Sequence, residues 1–351
     1  MKNLIYALLA AFILVSCGTG TQKENQEPPK SMLAEFPELH KKASTFFGQL
    51  PTSAPNEANP TSEAKVLLGY TLYFDNRLSK DGNISCNSCH NLATFGVDNL
   101  ATSPGDDGTL GDRNSPTVLN AALHMTQFWD GREPDVEAQA GGPILNPVEM
   151  AMPDEASVMS RLKGIDGYGD LFKNAYPDDD DPYTYQNLKN AIGVFERELL
   201  TPSKFDTFLA GDESALNSDE KKGLQTFIEQ GCITCHMGNL LGGSMYQKLG
   251  LFGNYNEMTG GEKEDFGRFA VTNNEADKYM FKVPSLRNIA KTGPYFHNGA
   301  VESLDESVKI MAKLQLNKDL TDDQVKEIVT FMNALTGEVP AKYQSAPDMP
   351  M

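Results

Sequence analysis

Apolar residues recur at three- and four-residue spacings in only a few stretches of this chain, and the long intervals between them are rich in Gly, Pro, Asn and Asp. The pattern predicts helices separated by long loops, a mainly α protein. Ser62 is placed to cap a helix carrying Val66, Leu67, Tyr70 and Tyr73. Asp154 opens a short helix stopped by Gly164, and Thr184 opens a longer one bearing Leu188, Ile192, Phe195 and Leu199. Pro202 closes this half. Ser218 is expected to cap a helix with Leu224, Phe227 and Ile228, and the pairs Ser303/Glu306 and Thr321/Gln324 read as capping boxes of two more. The last helix carries Val325, Ile328, Val329, Met332 and Leu335 on one side and is expected to end at Gly337. Residues 91–151 and 237–300 read as loops, and Phe46 and Phe47 as aromatics packed from an irregular Pro-rich segment.

A length of 351 residues exceeds one ordinary core and points to two domains, expected at 35–201 and 202–338, with the tail 339–351 lying back across the first. The formal net charge of −18 disfavours nucleic acid and leaves room for a soluble partner with a basic face. Lys2, the apolar run Leu4–Val15 and the Leu14-Val15-Ser16-Cys17 ending resemble a bacterial lipoprotein signal, residues 1–16, with Cys17 as the lipid-bearing first residue. An ordinary cleaved signal and an uncleaved anchor are the alternatives. All three place the body outside the cytoplasm. Residues 17–34 have the composition of a flexible tether, and Asp178–Asp181 that of a solvated acidic loop, only weakly a calcium site.

Candidate chemistry sharpens the two-domain reading. Every cysteine except Cys17 lies in one of two C-x-x-C-H pentapeptides, Cys86/Cys89/His90 and Cys232/Cys235/His236. Two cysteines at this spacing form thioethers to one porphyrin, with the histidine beneath the iron. The expected fold is therefore two cytochrome c-like domains, each with one covalent haem c. A zinc site or a redox dithiol is the competing reading. The second axial ligand decides between electron transfer and chemistry, and His40, His124, His297 and fourteen methionines are the available donors.

Over most of its length the chain resembles the bacterial di-haem cytochrome c peroxidases. The likeness runs through YFDNRLS (73–79), CNSCH, RNSPTVLNA (113–121), QFWDGR (127–132), PVEM (147–150), GCITCH, VPSLRN (283–288) and PYFHNG (294–299) to the helix with Met311. The resemblance implies that His236 and Met311 ligate an electron-transfer haem. It makes His90 the ligand of the peroxidatic haem, Glu149 its distal acid–base, Gln139 a residue positioning peroxide and Trp129 the coupling between haems. It also implies an inter-haem calcium on Asn114 and the carbonyls of Thr292 and Pro294, with His297 nearby as a structural or coupling residue. A small cytochrome c or copper protein as donor, and a homodimer, are further implications. A sister family that modifies protein-bound tryptophans has Tyr at the Met311 position, which argues against that activity.

One departure stands out. Many family members rest with a removable histidine on the peroxidatic iron, and here Asp106 holds that position, with no histidine between His90 and His124. The expected enzyme reduces hydrogen peroxide without reductive activation, His124 being the one residue that could substitute as ligand. The alternatives are a related oxidase acting on a protein or organic substrate and a pure electron carrier.

Overall fold

The computed structural model describes residues 36–261 and 263–351; the expected signal, Cys17 and the tether lie outside them. Thirteen α-helices are present among the described residues: α1 Leu39–Phe46, α2 Glu63–Phe74, α3 Cys86–Cys89, α4 Val136–Leu145, α5 Glu155–Lys163, α6 Tyr168–Ala175, α7 Tyr185–Glu196, α8 Lys204–Leu209, α9 Ser218–Gln230, α10 Tyr255–Thr259, α11 Phe269–Thr272, α12 Leu304–Leu316 and α13 Asp322–Asn333. The two short strands, β1 Tyr246–Lys248 and β2 Met280–Lys282, pair antiparallel, with Gln247 opposite Phe281.

Ser62, Asp154 and Thr184 accept the expected capping bonds, from the amides of Lys65, Ser157 and Asn187. Thr321 and Gln324 form a full capping box, whereas Ser303 only accepts from the Glu306 amide. Asn217, not Ser218, caps α9, in a box with Glu220. The last helix stops at Asn333, earlier than expected. Gly337 serves a different purpose, since a Cβ there would lie 2.3 Å from the Thr201 carbonyl oxygen.

Two helix crossings repeat one device. Where α2 meets α7, a Cβ on Gly69 would fall 1.9 Å from Ala191 O and 2.9 Å from Phe195 Cβ. Where α9 meets α13, a Cβ on Gly223 would fall 2.1 Å from Glu327 O and 2.9 Å from Phe331 Cβ. Each helix leading to a C-x-x-C-H motif thus lies against the backbone of the last helix of its half. Such close approach requires glycine.

The loops repeat as well. Asn120 and Asn288 share one left-handed conformation, φ 61° and ψ 9°, and each donates Nδ2 to Thr201 Oγ1 at 2.8 Å. Phe128 and Phe296 both have positive φ, inside matching bridges Gln127–Glu133 and Tyr295–Val301. These positions stand 168 residues apart throughout, Asn120 to Asn288 and Trp129 to His297 alike.

The chain crosses between the halves at both ends. Leu39, Ala43 and Phe47 pack with Phe205, Phe227 and Phe331, so the segment expected in the first domain belongs to the second core. Its apolar residues recur every fourth position and form α1 rather than irregular chain. Val339 and Tyr343 in turn pack with Tyr73, Phe195 and Leu199, and Tyr70 donates its hydroxyl to Lys342 O at 2.8 Å.

Candidate active site

The helix α2 brings the chain to Asp75, whose carboxylate is held by Arg77 and by the Tyr168 hydroxyl at 2.6 Å. One helical turn, α3, follows, capped by Ser85 and Ser88, and it presents Cys86 and Cys89 one turn apart. Tyr73, fully buried, donates to His90 O at 2.5 Å and fixes the end of that turn.

The motif opens into a cavity of about 530 Å³, whose walls include Cys86, Cys89, His90, Trp129, Gln139 and Glu149. This lies in the ~300–1,000 Å³ range of ligand pockets and far above a packing defect. The four haem-motif thiols are unpaired. Burial pushes Cys86 up to about 12 and Cys89 and Cys232 up to about 11, the reverse of a reactive dithiol. Among the described residues no three His, Cys, Asp or Glu side chains gather as a metal cluster. His90 Nδ1 is buried without a hydrogen-bond partner. His236 Nδ1 is engaged by Leu241 O at 2.9 Å, which leaves its Nε2 free to ligate. Burial lowers both imidazoles toward the neutral form a metal needs. The donor set and the cavity fit a covalently held haem.

Gln139 and Glu149 reach this cavity from α4 and the turn after it. Asp135 caps α4 on the Ala138 amide at 2.8 Å, and Pro143 and Asn146 close its end. Glu149 is half-buried and accepts from Asn146 Nδ2 at 2.8 Å. Burial raises its carboxyl above the ordinary range, against the opposing pull of Arg132 and Asn146. Arg132 lies over the Phe128 ring at 3.4 Å and pairs with Asp130 at 3.1 Å.

Trp129 and His297, equivalent in the repeat, meet with ring centroids 6.4 Å apart, and both line the cavity. Asn114 joins them: its carbonyl accepts from Trp129 Nε1 at 2.9 Å and its amide donates to His297 O at 2.8 Å. Its Nδ2 is directed at the carbonyls of Leu100 and Ala101, which leaves Oδ1 as a donor to a cation. Trp129 also packs on the cluster of Tyr255, Phe281, Ile310 and Leu314 against which Met311 of α12 lies. Val308, one turn before Met311, sits in the core with Cys232 and Leu241.

The remaining candidates have other surroundings. His40 packs on Phe208 in the second core. His124 is beside Gly243 and Lys282 and is not part of the cavity wall at His90. Pro104 and Gly105 face the cavity, but the Asp106 carboxylate turns away, accepting from the amides of Asp81 at 2.7 Å and Asn83 at 3.3 Å. Those bonds and one from Ser79 hold it below the usual carboxylate range despite burial, so it braces the loop on the turn that precedes α3.

Three wall residues escaped the sequence reading. Arg113 grips Asp265 through two bonds of 2.6 and 2.9 Å and Asp130 at 2.6 Å, drawing a loop of the second half over the first cavity. Arg113 stood inside the RNSPTVLNA motif, but Asp265 has no local signal. Glu196, on α7, is buried in the same wall, and burial raises its carboxyl to about 8.

Residues 63–214 match the family model described as di-haem cytochrome c peroxidase. The cytochrome c551 peroxidase of Nitrosomonas europaea is 45% identical over 80% of this chain and 82% of its own, and that of Pseudomonas aeruginosa 43% over 88% and 89%. Among solved structures, a MauG-like protein associated with microbial copper homeostasis superposes with a TM-score of 0.75 at 26% identity, over 85% of this chain and 97% of that one. Likeness of this extent, carried by relatives named as peroxidases, makes the chain a member of the di-haem cytochrome c peroxidase family, oxidoreductases that use peroxide.

Proposed function

We propose that hydrogen peroxide is reduced to water in the cavity at His90, with electrons arriving from the half that carries His236. The observation carrying this is that one cavity is walled both by Cys86, Cys89 and His90 and by Glu149, Gln139 and Trp129. Cys86 and Cys89 hold one haem c with His90 as ligand; Cys232 and Cys235 hold the other with His236 and Met311. When bound, haem supplies the redox chemistry at these two places.

The chain's own residues supply the rest. Glu149, its carboxyl raised by burial, takes a proton from one peroxide oxygen and returns it to the other, as heterolysis requires. Gln139, on the same wall, orients peroxide through its amide. Trp129 spans the cavity and the Met311 cluster and provides the electronic contact between halves. The thioether of Met311 favours the reduced form of its centre, which suits a supplier of electrons. Calcium is held at the junction by Asn114 Oδ1 with the carbonyls of Thr292 and Pro294, hard oxygen donors close to the Trp129–His297 contact. Asp106 is committed to the turn at 81–83, so no side chain of that loop blocks the site and the oxidised enzyme acts without prior reduction. The donor is a small cytochrome c or copper protein of the periplasm, where the chain is tethered by a lipid on Cys17 and works as a homodimer.

Steady-state peroxide reduction with a reduced cytochrome donor tests this, on enzyme taken directly in the oxidised state. Wild type turns over without a lag; Glu149→Gln keeps both haem spectra and loses on the order of 10²-fold or more in rate. A lag abolished by pre-reduction, or unchanged turnover in Glu149→Gln, refutes the corresponding assignment.

A further inference from the structure

A file of aromatic side chains leads from the cavity to the surface, branching from the cluster of Trp129 and Tyr255 on which Met311 lies. Trp129 and His297 form its inner end on the cavity wall. The His297 ring packs on Tyr255 at 5.3 Å, and Tyr255 packs on Tyr279 at 5.8 Å. Tyr255 is buried, Tyr279 is half-exposed, and Glu264, to which Tyr279 donates its hydroxyl at 2.6 Å, is exposed.

The hydroxyl partners set a direction along this file. Tyr255 donates to Asp265 O at 2.6 Å and accepts from the Asp265 amide at 2.9 Å. A peptide carbonyl is too weak a base to take the phenol proton, so no neutral radical is stabilised at Tyr255 and an oxidising equivalent does not come to rest there. The Glu264 carboxylate does accept one. Loss of an electron from Tyr279 therefore ends in a neutral phenoxyl radical with its proton on Glu264.

We propose that Tyr255 and Tyr279 are an exit for oxidising equivalents, ending in one-electron oxidation of Tyr279 at the surface when electron donor is scarce. The inference rests on the reading that peroxide is reduced at the His90 cavity. In balance, one peroxide, one electron from the donor, two solvent protons, the Tyr279 O–H and the Glu264 carboxylate give two waters, the Tyr279 radical and protonated Glu264. The O–O and Tyr279 O–H bonds break, peroxide is reduced and the tyrosine is oxidised.

The test uses the full-length holoenzyme, charged with one electron per chain from limiting reduced cytochrome c and then mixed with peroxide. Freeze-quench electron paramagnetic resonance should show a tyrosyl radical, and peptide mass spectrometry should place the oxidation at Tyr279. Tyr279→Phe should lose both signals while turnover with excess donor stays unchanged, and Glu264→Gln should diminish them. A tyrosyl signal unaltered in Tyr279→Phe, or no tyrosyl radical in wild type that reduces peroxide normally, overturns the proposal. Wild type that fails to reduce peroxide with excess donor overturns the underlying function instead.

Discussion

The two glycine crossings make the most direct claim about what holds each half together. Replacing Gly69 by Ala puts a methyl carbon 1.9 Å from Ala191 O, so α2 and α7 must part by roughly 1.1 Å to reach even a 3.0 Å contact. The clashing atom is backbone and has no rotamer to escape into. Overpacking of this kind costs about 1–3 kcal/mol, with a rigid neighbour at the upper end, plus the packing lost as α2 and α7 separate. Alanine's better helix propensity returns about 1 kcal/mol. The net expectation is a loss of about 2 kcal/mol, or roughly 4–8 °C in Tm for a unit of this size. Gly223→Ala, with Glu327 O at 2.1 Å, should behave alike in the other half. Gly169→Ala in α6 is the control, because its nearest neighbour would be the Tyr183 hydroxyl at a comfortable 3.7 Å, and there propensity alone should act, stabilising the protein. Calorimetry of the holoenzyme reads all three. A Gly69→Ala protein as stable as wild type would mean the crossing is not close packed, and the argument for a repeated scaffold would lose its physical basis.

Two further outcomes follow from buried carboxyls. Asn146→Ala removes the bond that favours ionised Glu149, so the carboxyl should rise further and the acid limb of kcat/KM for peroxide should move to higher pH; a limb that stays in place would exclude Glu149 as the base. Glu196 titrates at about 8 in the folded chain against an ordinary 4.5, so between those values the folded chain holds a proton that the unfolded chain has released. Stability contributed at this site therefore falls as pH rises across that window, by up to roughly 4 kcal/mol, and Glu196→Gln should abolish the fall. Urea unfolding at pH 5 and pH 8 measures it, and a difference between variant and wild type that does not grow with pH would contradict the assignment.

Legibility followed locality. Helices α2, α7, α9 and α13 were readable because each announces itself with a capping side chain and a spaced apolar stripe. Helix α4 was not, because VEAQAGGPIL contains two glycines and a proline, poor helix formers whose cost is met by packing against α7. There Gly141 lies against Tyr185 and Lys189, and Gly193 against Glu137, contacts visible only in three dimensions. The candidate attachment residues are local and stand out by spacing alone. Glu149 and Gln139 carry no such spacing and came only from resemblance to a family. The Arg113–Asp265 clamp joins residues 152 positions apart and had no sequence signal. The loop repeat is present in plain sequence, as Pro116 to Asn120 against Pro284 to Asn288, but only the first and last residues of the two segments are identical.

That repeat explains why two halves built alike are proposed to differ in chemistry. Carried forward at the same separation, Asp135 and Ser303 are equivalent caps of α4 and α12, and the counterpart of Met311 is Pro143. Proline has no side-chain atom that ligates iron, and Pro143 forms part of the wall at His90. Under the proposed ligand set, one scaffold thus places a thioether at one haem and nothing that binds at the other. The space so left is bordered by Glu149, from the turn that begins three residues after Pro143, and by Gln139, one helical turn before it. On that proposal, the helix position that would complete the electron-supplying centre in the second half would leave the first open to peroxide, with Glu149 and Gln139 at its edge. Blocking the position should unite the two behaviours: a methionine introduced at Pro143 is expected to act as a second thioether ligand and to convert the His90 centre from a peroxide site into a carrier.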